Sequence, residues 1–84
     1  MVANPGGQKR SGPRANGEAI RALRQAKGWK ADKFATACGI SAPYLANIEA
    51  GRKPGSPDVL VRIASTLDVP LAAITSGFPV EAVA

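Results

Sequence analysis

Signals for helix starts and helix ends alternate at short intervals along the chain, and they constrain the fold more than any other feature. Residue types that cap helix N-termini occur at three places: Asn16, Ser41 and Ser56. Glycines placed to end a helix occur at three others: Gly28, Gly39 and Gly51. We expect a chain divided in this way to form several short helices, because each stretch between boundaries holds only a few turns.

Apolar residues between these boundaries recur at three- and four-residue spacing, which is typical of helices with one buried face. We predict helices over about residues 16–27, 31–38, 41–50 and 57–67, and a short fifth helix over residues 71–74. Hydrophobic residues make up 45% of the chain but aromatic residues only 5%, so the core must consist of small aliphatic side chains. Such a core suits closely packed helices better than a β-sandwich, and the sequence therefore predicts an all-α fold.

The 84 residues are enough for one small domain and divide into three segments. Residues 1–15 combine prolines and glycines with basic residues, and we predict a flexible basic N-terminal tail there. Residues 16–76 form the predicted domain. Residues 77–84 are predicted to be a short C-terminal tail.

Composition excludes several classes of function. The chain has no histidine and one cysteine, Cys38, which excludes histidine-based catalysis, zinc sites of the usual spacing and an internal disulfide. No catalytic constellation can be assembled, so we predict no enzyme, no cofactor and no metal site. We interpret Cys38 as a small buried hydrophobe in a cytoplasmic protein. No apolar run approaches the ~20 residues of a membrane span, so we predict no membrane partner.

The charge of the chain indicates a polyanionic partner. The formal net charge is +5, and eight of the eleven Lys and Arg residues precede Phe34. In a small domain such a balance favours nucleic acid or an anionic membrane surface as the partner.

The segment from Phe34 to Ser41 predicts how two of the helices meet. Gly39 opens a turn of about three residues, Ile40 points back into the core, and Ala35 is small where the helices cross. This is the pattern of a helix-turn-helix, which presents its second helix to the major groove of DNA. Other helical hairpins can imitate the pattern.

Further short motifs surround this segment in the order and spacing of one family. They are Ala19-Ile20-Arg21-Ala22-Leu23-Arg24, Lys27-Gly28-Trp29, Phe34-Ala35, Gly39-Ile40-Ser41, Tyr44-Leu45, Ile48-Glu49, Gly51-Arg52 and Ile63-Ala64. From about Gly17 to Ile74 the chain resembles the phage repressor/Cro (XRE-type) family of bacterial transcriptional regulators. The resemblance implies a compact five-helix, lambda-repressor-like DNA-binding domain, commonly a homodimer on a pseudo-palindromic operator.

The resemblance also implies which residues read DNA. The family uses the start and outer face of the third helix, which here gives the base-reading candidates Ser41, Ala42, Pro43, Tyr44 and Asn47. An amide such as that of Asn47 can pair bidentately with adenine. Tyr44 has two interpretations, a DNA contact or a cover for the helix junction.

A structural ion pair is carried over in the same way. The family pairs an arginine of helix 1 with a glutamate near the end of helix 3, which here are Arg24 and Glu49. We expect this pair to hold the recognition helix in place. The chain departs from the family at Ala31 and Ala50, where polar residues often contact phosphate.

Phosphate contacts must therefore come from other residues. We predict that four basic residues supply them, together with backbone amides at helix starts: Lys30, Lys33, Arg52 and Lys53. The tail has two interpretations, an inert leader or an arm that follows DNA through Lys9, Arg10 and Arg14.

These expectations give one main function and one alternative. We expect a sequence-specific regulator of transcription, a repressor, that binds double-stranded DNA as a homodimer. The alternative is an antitoxin or accessory subunit that uses the same fold to bind a protein partner, and it rests on the apolar C-terminal tail around Phe78.

Overall fold

The helices lie where the local boundary signals predict them. The computed structural model describes residues 14–76. Its elements are, in chain order, β1 (Arg14–Ala15), α1 (Gly17–Ala26), α2 (Ala31–Cys38), α3 (Ala42–Glu49), α4 (Pro57–Leu67), a 3₁₀ helix (Leu71–Ile74) and β2 (Thr75–Ser76). Within this part of the chain, the predicted helical fold is confirmed. No helix there is long and apolar enough to cross a membrane.

Three helices begin at the predicted caps. In each case the side-chain oxygen accepts a hydrogen bond from the amide three residues on: Asn16 from Ala19 (3.2 Å), Ser41 from Tyr44 (3.1 Å) and Ser56 from Val59 (3.3 Å). A cap of this kind contributes about 1 kcal/mol because it satisfies an amide that has no partner within the helix. The start of α3, which matters for function, is therefore fixed by Ser41 itself.

Each of the helices α1 to α4 ends in a Schellman motif. In α2 the amide of Ile40 bonds to the carbonyl of Ala35, and that of Gly39 bonds to the carbonyl of Thr36, both at 3.0 Å. Gly39 takes the left-handed conformation this turn requires, at φ 76°. The next residue then folds back onto its own helix. In α1, α2 and α4 that residue is apolar and packs against the core: Trp29, Ile40 and Val69.

One hydrophobic core joins all four helices. Its buried members are Ile20, Phe34, Ala35, Cys38, Leu45, Ile48, Val59, Leu60, Ile63, Ala64, Leu67 and Ile74. Trp29 packs edge-on against Phe34, with ring centroids 5.6 Å apart, so it closes the core between α1 and α2 as an apolar plug. Cys38 is buried, as predicted, and desolvation raises the pKa of its thiol.

Two parts of the structure differ from the sequence prediction. Leu71–Ile74 is one turn of 3₁₀ helix, so the described residues hold four α-helices and the predicted fifth is not confirmed. The segment is too short for a stable α-helix, because Pro70 precedes it and β2 follows at once.

Arg14 and Ala15, which the sequence placed in the tail, form β1 instead. They pair antiparallel with Ser76 and Thr75, respectively. The amide of Ala15 also bonds to the carbonyl of Pro54 at 2.9 Å, which ties β1 to the loop after α3. The rest of the predicted tail, with Lys9 and Arg10, and the C-terminal segment around Phe78 lie outside the described residues.

The start of α1 lies against the end of α3 at very short range. A Cβ atom at Gly17 would lie 2.5 Å from the carbonyl oxygen of Ile48 and closer still to that of Glu49. Both oxygens belong to the backbone, so they cannot move aside unless α3 moves. Glycine at this position therefore sets how closely the two helices approach.

Gly17→Ala should lower the free energy of unfolding by about 1–3 kcal/mol, the usual cost of overpacking. The same change in an unobstructed helix raises stability by about 0.4–1 kcal/mol, so the sign is diagnostic. Urea unfolding followed by circular dichroism measures it. Ala22→Ser, on the exposed side of α1, is the control and should change stability by about 0.5 kcal/mol or less. Unchanged or higher stability in Gly17→Ala would contradict the close approach.

Candidate nucleic-acid interface

The two sides of α3 have different environments. Leu45 and Ile48 are buried in the core. Ala42, Pro43 and Ala46 are exposed on the other side, next to the exposed cap residue Ser41. The outer side is small and smooth because these residues carry short side chains. It can therefore lie close to another surface, but it offers few polar groups.

The predicted pair of Arg24 and Glu49 is brought together at the inner edge of α3. Nε of Arg24 donates to Oε2 of Glu49 at 2.8 Å, and Nη2 donates to Oε1 at 3.1 Å. Nη1 of Arg24 donates to the carbonyl oxygen of Trp29 at 2.9 Å. The two side chains are each only 10% exposed. The geometry is bidentate and connects α1, the turn after it and the end of α3.

The Arg24 guanidinium stays charged across the neutral range. The hydrogen bond that Arg24 donates to Glu49 raises the pKa of its guanidinium above the usual value, against a smaller opposing effect of burial. A raised pKa means that the stabilisation is fully present below the unfolded-state pKa of arginine and is lost only at higher, strongly alkaline pH. Arg24 therefore keeps its charge across the neutral pH range, and the pair holds α3 in place there.

Glu49→Gln should lower the free energy of unfolding by about 3–5 kcal/mol, because it leaves the buried guanidinium of Arg24 without a counter-charge. Thermal and urea unfolding measure the loss. Asp58→Asn is the matched control, since the Asp58–Arg62 pair is largely exposed. It should cost less than about 1 kcal/mol. Equal effects of the two substitutions would contradict the structural role of the buried pair.

The polar base-reading candidate lies near the far end of α3. Asn47 is half-buried, and its amide oxygen accepts a hydrogen bond from Nε of Arg52 at 3.0 Å. Tyr44 is also half-buried and packs against the core, so at least part of its ring covers the helix junction. Both residues keep part of their side chains exposed.

A basic turn, residues 52–55, follows α3 directly. Arg52 and Lys53 are exposed, and the amides of both donate to the carbonyl oxygen of Asn47, at 2.9 and 3.2 Å. Backbone hydrogen bonds thus hold the turn in place, while the charged groups of Arg52 and Lys53 remain accessible to an anion. It lies beside the exposed β1 residue Arg14, because Ala15 bonds to Pro54.

The start of α2 brings two further predicted residues to the surface, Lys30 and Lys33. The carboxylate of Asp32 lies between them and accepts a hydrogen bond from the amide of Lys33 at 2.9 Å. The Asp32 carboxylate therefore takes up one of the free amides at the N-terminus of α2, where the helix dipole would otherwise favour a phosphate. The start of α3 is limited too, since Pro43 has no amide hydrogen and Ser41 already binds the amide of Tyr44.

Arg62 was not among the residues predicted from the sequence, yet it lies on α4 and supports the turn of the helix-turn-helix. Its Nη1 donates to the carbonyl oxygen of Cys38, the last residue of α2, at 3.3 Å. Its Nη2 bonds to Asp58 at 2.7 Å. A cation at the C-terminal end of α2 also complements the helix dipole. The four-residue spacing of Asp58 and Arg62 is a local sequence signal for their ion pair. No local signal indicates the contact of Arg62 with Cys38.

Comparisons with known proteins agree with this geometry. Residues 17–75 match the family described as a helix-turn-helix domain. The HTH-type transcriptional regulator DdrOP3 of Deinococcus deserti is 40% identical over 52 residues, which cover 62% of this chain and 40% of that protein. The chain therefore spans well under two thirds of the length of this relative.

Solved structures share the fold. The restriction-modification controller protein C.AhdI from Aeromonas hydrophila is similar with a TM-score of 0.66 and 28% identity, covering 68% of this chain and 86% of that one. SinR of Bacillus subtilis, the master regulator for biofilm formation, is similar in its DNA complex with a TM-score of 0.64 and 28% identity, covering 68% and 95%. The chain thus belongs to the helix-turn-helix domain family, and it is similar to transcriptional regulators of the phage repressor/Cro type.

Proposed function

We propose that the protein is a sequence-specific repressor that reads the major groove of double-stranded DNA with α3. The observation that carries the proposal is the division of α3 into two sides. Its inner side is locked by the core and the Arg24–Glu49 pair, whereas its outer side is exposed and leads into the basic turn. A rigid helix with a free outer face and adjacent cations meets the requirements for docking in the groove.

The chemistry of the outer face divides the proposed contacts into two groups. Asn47 supplies the main polar base contact and Ser41 and Tyr44 supply further polar groups, while Ala42 and Pro43 offer apolar contact to a thymine methyl. The second group consists of exposed cations that neutralise phosphates whatever the sequence: Lys30, Lys33, Arg52 and Lys53. Affinity therefore depends mainly on the cations, and specificity on few side chains. Arg14 is exposed and adds to these cations, whereas the arm through Lys9 and Arg10 stays a prediction from the sequence.

The proposed functional unit is a homodimer. One α3 reads too few base pairs for useful specificity, and two copies about 34–36 Å apart would read successive turns of the groove. The candidate contact surface is residues 69–74. Ala72 and Ala73 are exposed there and Leu71 is partly buried, which leaves an apolar surface on the 3₁₀ helix.

Selection from a pool of random duplexes tests the proposal. We expect one enriched motif with two-fold symmetry, bound with an affinity that falls steeply with salt. Four phosphate contacts for each protomer give a log–log slope of about −3 to −4 per protomer. Asn47→Ala should lose discrimination at one or two base pairs, by roughly 5- to 150-fold. Lys53→Ala should weaken binding to all sequences alike.

Two controls separate lost contacts from lost folding. Asn47→Ala and Lys53→Ala must each unfold at a midpoint close to that of the parent protein. Val61→Ala, on the exposed side of α4, should leave DNA binding unchanged. The absence of any enriched motif at low salt would overturn the proposal. A reporter gene placed downstream of the selected site then distinguishes repression from activation.

A second function, that of an antitoxin or accessory subunit, is favoured by one surface feature. Val61 is the exposed large hydrophobic side chain in the described part of the chain, with 54% of its surface accessible. The structural relative SinR has been solved together with the SinI protein as well as with DNA. A stable complex with a co-purified protein that Val61→Asp disrupts would support this role, and a homodimer that binds its operator alone would count against it.

A further inference from the structure

The contact between Asn47 and Arg52 sets the end of α3 apart from the ends of the other helices. All four helices close with the same Schellman geometry, which brings the residue after the left-handed position back over its own helix. In α1, α2 and α4 this residue is apolar and seals the core. In α3 it is Arg52, and its partner on the helix is polar Asn47.

The backbone determines this meeting. Gly51 is left-handed at φ 82°, the amide of Arg52 bonds to the carbonyl of Asn47 at 2.9 Å, and that of Gly51 bonds to the carbonyl of Ile48 at 3.1 Å. The two side chains therefore start from neighbouring points in space, although Asn47 and Arg52 are five positions apart in the sequence. Nε of Arg52 then donates to Oδ1 of Asn47 at 3.0 Å.

This hydrogen bond settles how the carboxamide of Asn47 is turned. A guanidinium has only donors, so the group that faces it must be the amide oxygen and not the amide nitrogen. The Nδ2 group of Asn47 then points away from Arg52. The Nη atoms of Arg52 are not used in this bond, so they can bind a phosphate at the same time.

We propose that Arg52 is a specificity-determining residue that positions Asn47 for base reading, in addition to being a phosphate contact. The proposal rests on the proposed function. With Arg52 in place, the amide meets the base edge in one orientation, so a mismatched base finds donors and acceptors in the wrong places. Without it, the amide rotates freely and can adapt to several bases, which lowers discrimination at that base pair.

Arg52→Lys separates positioning from charge. Lysine keeps the positive charge for a phosphate, but its single ammonium group cannot hold the amide and a phosphate in the fixed geometry of a guanidinium. Lys53→Met is the matched control, since Lys53 is the neighbouring exposed cation and its side chain makes no hydrogen bond with Asn47 in the described residues. Both positions are exposed, so neither change should shift the unfolding midpoint by more than a few degrees.

The experiment compares motifs selected from random duplexes by the parent protein, Asn47→Ala, Arg52→Lys and Lys53→Met. The position that loses its preference in Asn47→Ala identifies the base pair that Asn47 reads. We expect Arg52→Lys to lose most of the preference at this same position, from roughly 5- to 150-fold down to about 3-fold or less, while affinity for unrelated DNA stays within about 3-fold. Lys53→Met should keep the preference and lose affinity for all duplexes.

A double variant and a measurement on the free protein complete the test. Asn47→Ala with Arg52→Lys should lose no more preference at that position than Asn47→Ala alone, because the two residues act as one unit. In the free protein, the Nδ2 proton resonances of Asn47 should shift in Arg52→Lys and stay in place in Lys53→Met.

Three outcomes decide the matter. If Arg52→Lys keeps the full base preference at the base pair that Asn47 reads, the inference is overturned and the proposed function stands. A parent motif that Asn47→Ala leaves unchanged at every position overturns the inference together with the proposed role of Asn47 in base reading, but it leaves sequence-specific DNA binding standing. The absence of any enriched motif with the parent protein overturns the proposed function and the inference together.

Discussion

The junction of α1 with the end of α3 governs the rest of the structure. Two contacts form it, the absence of a side chain at Gly17 and the bidentate pair of Arg24 with Glu49. The first contact sets the distance between the helices, and the second prevents their rotation. Because Arg24 also holds the carbonyl of Trp29, the turn that leads into α2 is tied to the same point. Because desolvation offsets much of the attraction within a buried charge pair, we infer that this pair acts mainly by fixing one arrangement of the two helices.

This rigidity explains how a chemically sparse helix can serve as a reader. The outward residues of α3 are mostly small, so the helix can approach the floor of a groove without obstruction. Close approach makes the position of each remaining polar atom decisive. In the proposed function the bond between Arg52 and Asn47 fixes one such atom, and Arg62 supports the turn of the helix-turn-helix through Cys38. The motif is thus supported from α1, from α4 and from its own C-terminal loop.

Local signals predicted the helices, whereas the long-range contacts that the family resemblance did not imply were missed. The caps at Asn16, Ser41 and Ser56 and the left-handed Gly39 were predicted correctly because each acts within a few residues of itself. The ladder of β1 with β2 was not predicted, since its two strands lie at opposite ends of the domain and are two residues long.

The candidate site shows the same division. Arg24 lies on the buried face of α1, four residues after Ile20, but an arginine would ordinarily be assigned to solvent. Only the family resemblance pointed to its pairing with Glu49. The approach of Gly17 to α3 depends on the crossing of two helices, which no short motif encodes. Asn47 and Arg52 were each singled out for DNA contact, but their hydrogen bond follows from the loop geometry after Gly51. The sequence therefore indicates which residues face outward more readily than how they constrain one another.

The central claim is that the locked α3 presents its outer face and the basic turn to DNA. Nuclear magnetic resonance titration of the ¹⁵N-labelled protein with its selected duplex tests it most directly, with a scrambled duplex as the control. We expect the largest specific chemical-shift changes on residues 41–53 and on the side-chain amide of Asn47, with the environment of Arg24 and Glu49 preserved. Changes centred on the exposed face of α4 around Val61, with α3 unaffected, would contradict it.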